Sequence, residues 1–346
     1  REVMVGSFKG VPLVRATCIH GLGELFKELD IDTHQLIQLT GAPDDVQKRE
    51  FEFLPETTLK NLILIFGESC STEDFILTIW TKCREIYIPK ILENLHLVPS
   101  MTVADAIEVF CLFIRQYSNN AQFCLERYHH HTWFARYKEG ENEPWYKYAE
   151  VFSIIFMDEL VAALSNSRQK TMNVSLKSTE MEPFFTCPQL LHIQFYTNRA
   201  ATGIQLDGAI LNKAIFMPKK QRRERAATLC EVPESFLSSF RFAIQPYISG
   251  GRLSILDAER ILGVPKRTLQ RRLHKEGVTY SQIVEELLLE RSLQLLINSR
   301  LSISAIASSL GYTDTANFTR FIRRRVGMTP SAYRKLNSSA SDIVIT

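Results

Sequence analysis

The sequence lacks any apolar run that could cross a bilayer, since stretches such as VFSIIFM at 151–157 fall far short of the roughly 18 residues required. It has no Pro/Gly-rich or low-complexity tract, and its seven cysteines form no CxxC pair. Scattered, odd-numbered cysteines in a chain of this size are typical of reduced, buried thiols. These absences argue against a membrane partner and a disulfide framework, and they predict a cytoplasmic globular protein.

The chain also has little net charge, only +3 over 346 residues, and this small value conceals an uneven distribution. From residue 235 to the end there are 16 Lys+Arg against 8 Asp+Glu, or +8. The first 234 residues carry 25 against 30, or −5. Such a length predicts two domains, and the asymmetry predicts that the C-terminal one binds a polyanion.

A charge run with two prolines, MPKKQRRERAATLCEVPES at 217–235, has the composition of a linker. We therefore predict an N-terminal domain over 1–217, a basic linker over 218–233, a helical domain over 234–337 and a short tail over 338–346.

Two helical units repeat within the C-terminal domain. Each has a short helix, a turn and a second helix, and a longer amphipathic stretch at 279–299 separates them. The residues Ile255, Leu262 and Gly263 recur 48 positions later as Ile303, Leu310 and Gly311. Repetition in register favours two helix-turn-helix motifs over ordinary helical corners.

The second helix of each unit predicts one apolar and one cationic face. At 100° per residue, one side of the later helix carries Phe318, Phe321, Ile322 and Val326. Its other side carries Ala316, Asn317, Arg320, Arg323 and Arg324, with Arg325 at the border. In the earlier helix Leu269 and Leu273 point inward, leaving Arg267, Gln270, Arg271, His274 and Lys275 outward. Side chains of this kind reach bases and phosphates in a major groove that admits one helix.

Three motifs give the segment 234–337 a close resemblance to the DNA-binding domain of the AraC/XylS family of bacterial transcription regulators. They are RTLQRRL after a Gly-Val-Pro turn, the IAxxLGY opening of the second unit, and the NFTRxIxRxxGMTPSxYR ending. The resemblance implies seven helices, with two helix-turn-helix motifs joined by a linker helix near 280–297. It also implies a regulator, such as an activator, with double-stranded promoter DNA and RNA polymerase as partners and no cofactor.

Carried over position by position, the resemblance assigns two groups of contact residues. The base-contacting candidates are Arg267, Gln270, Arg271, Thr315, Ala316 and Arg320, of which Ala316 can offer only a methyl contact. The phosphate-contacting candidates are Lys266, Thr268, Arg272, Lys275, Asn317, Arg323 and Arg324.

The first 217 residues mix helical and strand patterns and predict an α+β domain. A helix is expected to open at Thr102, two strands to flank the histidines at 129–131, and a long helix to cover 144–167. Further strands are expected in 190–198 and 203–216, with Asp207-Gly208 as a turn. The region resembles, loosely, the non-cupin (arabinose-binding-like) sensor domain of the same family, which implies binding of a small effector (a sugar, an amino-acid derivative or a fatty acid) or formation of a homodimer.

Three alternatives remain open on the sequence alone. The three histidines, with Cys124 and His192, have metal-ligand chemistry, but adjacent strand residues point to opposite faces, which argues against a metal site.

An enzyme fused to a DNA-binding tail would need a reactive cysteine in a distinctive context, and none of the seven has one, so we expect no enzyme. An effector-independent architectural or dimeric DNA-binding regulator is the main competing function. The aromatic residues are interpreted as core, although Trp80 and others could line an effector pocket.

Overall fold

The chain forms two compact units that meet along the sequence between Pro233 and Glu234. A computed structural model describes residues 10–23, 25–26, 39–43, 51–128, 130–167, 171–216, 231–250 and 253–341. Most of the predicted linker, residues 218–230, lies outside that part of the chain. Its last three residues belong to the first unit, where Val232 is buried and the Asn119 amide donates to the Pro233 carbonyl over 2.7 Å.

The first unit is built on a five-stranded sheet. Its strands are β3 (Gln122–Tyr128), β4 (His131–Tyr137), β5 (Asn173–Ser175), β6 (Gln194–Tyr196) and β7 (Thr202–Leu206), following a two-stranded pair of β1 (Leu13–Arg15) and β2 (Phe53–Pro55). The order across the sheet is β3-β4-β7-β5-β6, with only β5 and β6 parallel among these neighbours. The two strands predicted around the histidine run are confirmed.

Helices cover this sheet and form the core with it. They are α1 (Ala16–Gly23), α2 (Glu56–Ser69), α3 (Thr72–Lys82), α4 (Ile88–Asn94), α5 (Val103–Phe113), α6 (Tyr146–Ser165), α7 (Glu182–Phe185) and α8 (Gly208–Leu211). As predicted, α5 opens at Thr102, the N-cap residue, which forms a capping box with Asp105. The buried ring of Phe110 on α5 packs against the rings of Phe134 on β4 and Phe156 on α6, with ring centroids 6.0 Å and 5.6 Å apart.

The predicted turn at Asp207-Gly208 is wrong. The Asp207 carboxylate instead accepts a hydrogen bond from the Ala209 amide at 3.0 Å and caps the start of α8. Aspartate serves both as a turn residue and as a helix N-cap, so the dipeptide alone does not distinguish the two. Beyond α8, Ala214 makes only an isolated bridge to Thr102, so the strand predicted to run to 216 ends at Leu206.

The second unit contains seven α-helices within residues 234–250 and 253–341, as the resemblance implied. They are α9 (Phe236–Ile244), α10 (Ile255–Leu262), α11 (Lys266–Lys275), α12 (Tyr280–Asn298), α13 (Ile303–Ser309), α14 (Thr315–Val326) and α15 (Pro330–Ser341). The last helix continues four residues past the predicted domain end at 337. Within the described ranges, no helix of either unit is long and apolar enough to span a membrane.

Local sequence explains where these helices begin and end. Ser254 and Thr279 form capping boxes at the starts of α10 and α12. The backbone is left-handed after the second helix of each motif, at Gly277 (φ 75°) and Gly327 (φ 81°), a conformation that glycine adopts without strain. The long α12 packs against α13, α15 and the 3₁₀ turn that follows α9, and so joins the two motifs.

Candidate nucleic-acid interface

The first helix-turn-helix motif consists of α10 and α11, which pack against each other. Leu269 and Leu273 of α11 are completely buried and fix the helix to the core. The opposite face exposes Lys266 together with the side chains that the sequence predicted to face outward: Arg267, Gln270, Arg271, His274 and Lys275. Thr268 and Arg272 are half-buried, and the Arg272 guanidinium lies over the Phe236 ring at 5.4 Å.

The second motif, α13 and α14, repeats this arrangement. Phe318 and Ile322 are completely buried, and the Tyr312 ring contacts Phe318 at 5.4 Å and Phe321 at 5.9 Å. The exposed side of α14 carries Ala316, Asn317, Arg320, Arg323 and Arg324, and Thr315 is half-buried at its start. Asp314 caps this helix by accepting from the Ala316 amide at 2.9 Å.

Most of the cationic side chains on these two faces are not neutralised by the protein. Neither α11 nor α14 contains an acidic residue. Arg320 donates to the side-chain oxygen of Asn317. In the part of the chain that the structure describes, no hydrogen bond or ion pair is made by the side chains of Lys266, Arg267, Arg271, Lys275, Arg323 and Arg324. The two helices therefore present a basic surface with unoccupied donors, which suits phosphate oxygens and base acceptors.

Unlike Arg323 and Arg324, Arg325 of α14 has an acidic partner, which was not predicted from the sequence. It forms an ion pair with Glu285 of α12. Another pair of acidic residues on α12, Glu286 and Glu290, holds Arg241 of α9, each at 2.5 Å. The acidic residues of α12 thus tie the ends of α9 and α14 to the linker helix, and Arg325 serves the fold rather than the exposed basic face.

The candidate metal ligands of the first unit were the histidines at 129–131, Cys124 and His192. His129 lies outside the described residues, and the ring nitrogen Nδ1 of His131 lies 2.7 Å from the side-chain nitrogen of Gln205. His192 lines a separate cavity. Across the described ranges, no three His, Cys, Asp or Glu side chains are placed to hold a metal ion.

Comparison with known proteins adds a family to this geometry. The family described as "Helix-turn-helix domain" matches residues 259–336. The regulator VqsM of Pseudomonas aeruginosa is 38% identical over 81 residues, which are 23% of this chain and 25% of that protein. The transcriptional activator RhrA of Rhizobium meliloti is 32% identical over 112 residues, covering 32% of this chain and 36% of that protein.

Among solved structures, that of the transcriptional regulator CdpR from Pseudomonas aeruginosa covers 91% of this chain and 97% of its own, at 17% identity and a TM-score of 0.33. A TM-score of that size carries no structural argument. The chain spans 25% of the length of VqsM and 36% of the length of RhrA. Its likeness to these two relatives concerns the C-terminal unit.

The second unit is a helix-turn-helix domain. It is a domain of the AraC type, because it has seven helices with the long α12 between two helix-turn-helix motifs. Its relatives VqsM and RhrA are transcription regulators.

Proposed function

We propose that this chain is a sequence-specific DNA-binding transcription regulator, with double-stranded promoter DNA as its principal partner. The observation that carries the proposal is the pair of exposed helices, α11 and α14, each with a buried apolar back and a cationic front. Exposed guanidinium and ammonium groups supply sequence-independent affinity by displacing counterions from phosphates. Arg and Gln side chains that reach base edges in the major groove supply discrimination.

The proposed contacts fall into two groups. In base reading we place Arg267, Gln270 and Arg271 on the first helix and Thr315, Ala316 and Arg320 on the second. In phosphate binding we place Lys266, Thr268, Lys275, Asn317, Arg323 and Arg324. Arg272 completes the phosphate group, and its position over the Phe236 ring suits a side chain that lies along the protein surface at the edge of the groove.

The first unit is proposed to sense a small-molecule effector. An effector changes DNA binding only if it favours one arrangement of the protein over another. We propose that the segment 218–233 transmits the effect of effector binding from the first unit to the second, since its end is fixed to the first unit by Val232 and Pro233. RNA polymerase is the further partner that a transcription regulator requires, and a homodimer is a compatible assembly.

Selection of binding sites from a random duplex library by the full chain tests the proposal. We expect enrichment of two short conserved boxes whose centres lie about one helical turn, roughly 10 base pairs, apart. Recovery of no shared sequence from repeated rounds, with binding that depends only on salt, would instead indicate an architectural DNA-binding protein.

A further inference from the structure

The exposed face of α11 contains a histidine, His274, to which the resemblance assigns no DNA contact. His274 lies in the last turn of the helix and is exposed. Residues three, four and seven positions apart share one face of a helix. His274 therefore lies on the same face as Arg271, Gln270 and Arg267, the three candidate base contacts of the first motif, and nearer to the end of the helix than any of them.

The neighbours of His274 on α11 are mainly cationic. Arg267 and Arg271 precede it on the same face, Lys275 follows it, and Glu276 comes directly after the helix. Within the described residues, the side chain of His274 makes no hydrogen bond or ion pair. Its ring nitrogens are therefore available to an acceptor outside the protein.

The helix packed against α11 is α10, and its carboxylates are engaged or lie on its own surface. Asp257 accepts from the Ser254 hydroxyl at 2.6 Å and pairs with Arg260 at 3.2 Å. The third charged residue of α10 is Glu259, which is half-buried. None of these three side chains bonds to His274 in the described part of the unit, so the groups nearest to it along its own face are the arginines of α11.

Histidine is the side chain that ordinarily changes charge between pH 5 and 8. His274 is the sole histidine in residues 234–346, and the same segment contains no cysteine. A change in the charge of the second unit near neutral pH is therefore expected from this one side chain.

We propose that His274 contacts a DNA phosphate in its protonated form, so that the affinity of the first motif for DNA increases as the pH falls. A neutral imidazole donates through one ring nitrogen, whereas the protonated ring donates through both and carries a positive charge. A phosphate suits the position better than a base, because base contacts come from the N-terminal residues of a recognition helix.

The sign of the pH dependence follows from the charges on this face. Arg267, Arg271 and Lys275 oppose a further positive charge on the ring in the free protein, whereas a phosphate attracts it. Binding to DNA therefore takes up a proton at His274, and the affinity should fall as the pH rises through the range in which histidine ordinarily titrates.

The inference rests on the proposed function, and DNA binding by the full chain at two pH values tests it. The probes are two fluorescein-labelled duplexes, the one recovered by site selection and one of mixed sequence, and the readout is fluorescence anisotropy. We expect the Kd of both duplexes to rise roughly two- to five-fold between about pH 6 and about pH 8, the effect of losing one exposed ion pair.

The salt dependence gives a second readout that a structural role would not change. Each phosphate neutralised by a cation adds about 0.9 to the slope of log K against log salt. The slope of the wild type should therefore be steeper by about 0.9 at pH 6 than at pH 8.

Three variants assign the effect to His274. His274→Gln removes the titrating group and should show, at both pH values, the affinity and the slope of the wild type at pH 8. His274→Lys fixes the positive charge and should resemble the wild type at pH 6 throughout. His96→Gln makes the matched change at an exposed histidine of the first unit and should keep the wild-type pH dependence. Burial lowers the pKa of Lys138 to about 8, but Lys138 is common to all three variants, so its contribution cancels.

Wild-type pH dependence in His274→Gln overturns the inference, and so does a salt slope of the wild type that is equal at the two pH values. A loss in His274→Gln that is confined to the selected duplex and equal at both pH values would indicate a neutral base contact, and it overturns the inference as well. Absence of wild-type binding to either duplex at both pH values overturns the proposed function itself, so the two failures are distinguishable.

Discussion

Replacing Arg320 by alanine removes a guanidinium from the exposed face of α14, where it bonds only to Asn317 among the described residues. Because the side chain is exposed, the fold should lose little. If Arg320 contacts a base edge in two places, its loss costs about 1–3 kcal/mol on the preferred site, or roughly five- to 150-fold in Kd. On random DNA only a general electrostatic contribution is lost, so the effect should be much smaller.

Arg325→Ala is the matched control, since it removes the same group from the same helix. Arg325 pairs with Glu285, and the two side chains are 38% and 35% exposed, so the pair contributes at most about 1 kcal/mol of stability. Its loss should affect the preferred and random duplexes equally. Fluorescence anisotropy with both duplexes at one salt concentration measures the ratio. An equal loss on both duplexes for Arg320→Ala would refute base reading and reassign this residue to phosphate binding.

Three further outcomes are expected. Arg323→Ala combined with Arg324→Ala should reduce the slope of log K against log salt by about 2, measured by titration at several salt concentrations, and an unchanged slope would exclude both from phosphate contact. Lys138→Met should lower the free energy of unfolding by up to about 3–5 kcal/mol in urea denaturation, because it leaves the buried Glu56 carboxylate with only the Asn120 amide at 2.9 Å and the Lys60 ammonium at 3.9 Å, and a change below about 1 kcal/mol would contradict this. Burial alone would raise the pKa of Glu56, but Lys138 outweighs it and the pKa lies below 4.5, while burial lowers the pKa of Lys138 to about 8. The pair's contribution should therefore be complete between about pH 4.5 and 8, decline below and above that window, and be absent from the pH profile of Glu56→Gln.

The second unit could be predicted from sequence because its determinants are local. Helix starts follow from Ser254 and Thr279, whose capping partners lie three residues away. Helix ends follow from Gly277 and Gly327, and the faces follow from a period of 3.6 residues. Because the pattern occurs twice in the sequence, the helix-turn-helix prediction had two independent observations behind it.

The first unit was less predictable because much of its order is non-local. Its sheet has β7 between β4 and β5, a crossover that no turn signal encodes. Gly203 gave no sequence signal either. A Cβ at that position would lie 2.8 Å from the Phe134 carbonyl, so the close approach of β7 to β4 needs glycine there. Only the elements with strong local patterns, such as the capped α5 and the long α6, were predicted.

Of the interface, the exposed residues could be predicted and the internal pairings could not. Arg325 and Glu285 are separated by 40 positions, so helical periodicity placed Arg325 at the border of a face without naming its partner. The cavity lined by His192 was beyond prediction for the same reason. Trp80 could be interpreted from sequence as core or as a pocket residue, and only the packing of α3 on α6 brings it to the wall of that cavity beside Glu159.

The central claim is that each cationic helix reads its own part of the DNA site. The most direct measurement is a cycle that combines Arg271→Ala or Arg320→Ala with substitution of either box in the selected duplex. The account predicts coupling energies of about 1–3 kcal/mol between each arginine and one box, a different box for each, with the crossed pairs near zero. Coupling energies near zero in all four combinations, with affinity lost equally on every duplex, would contradict it.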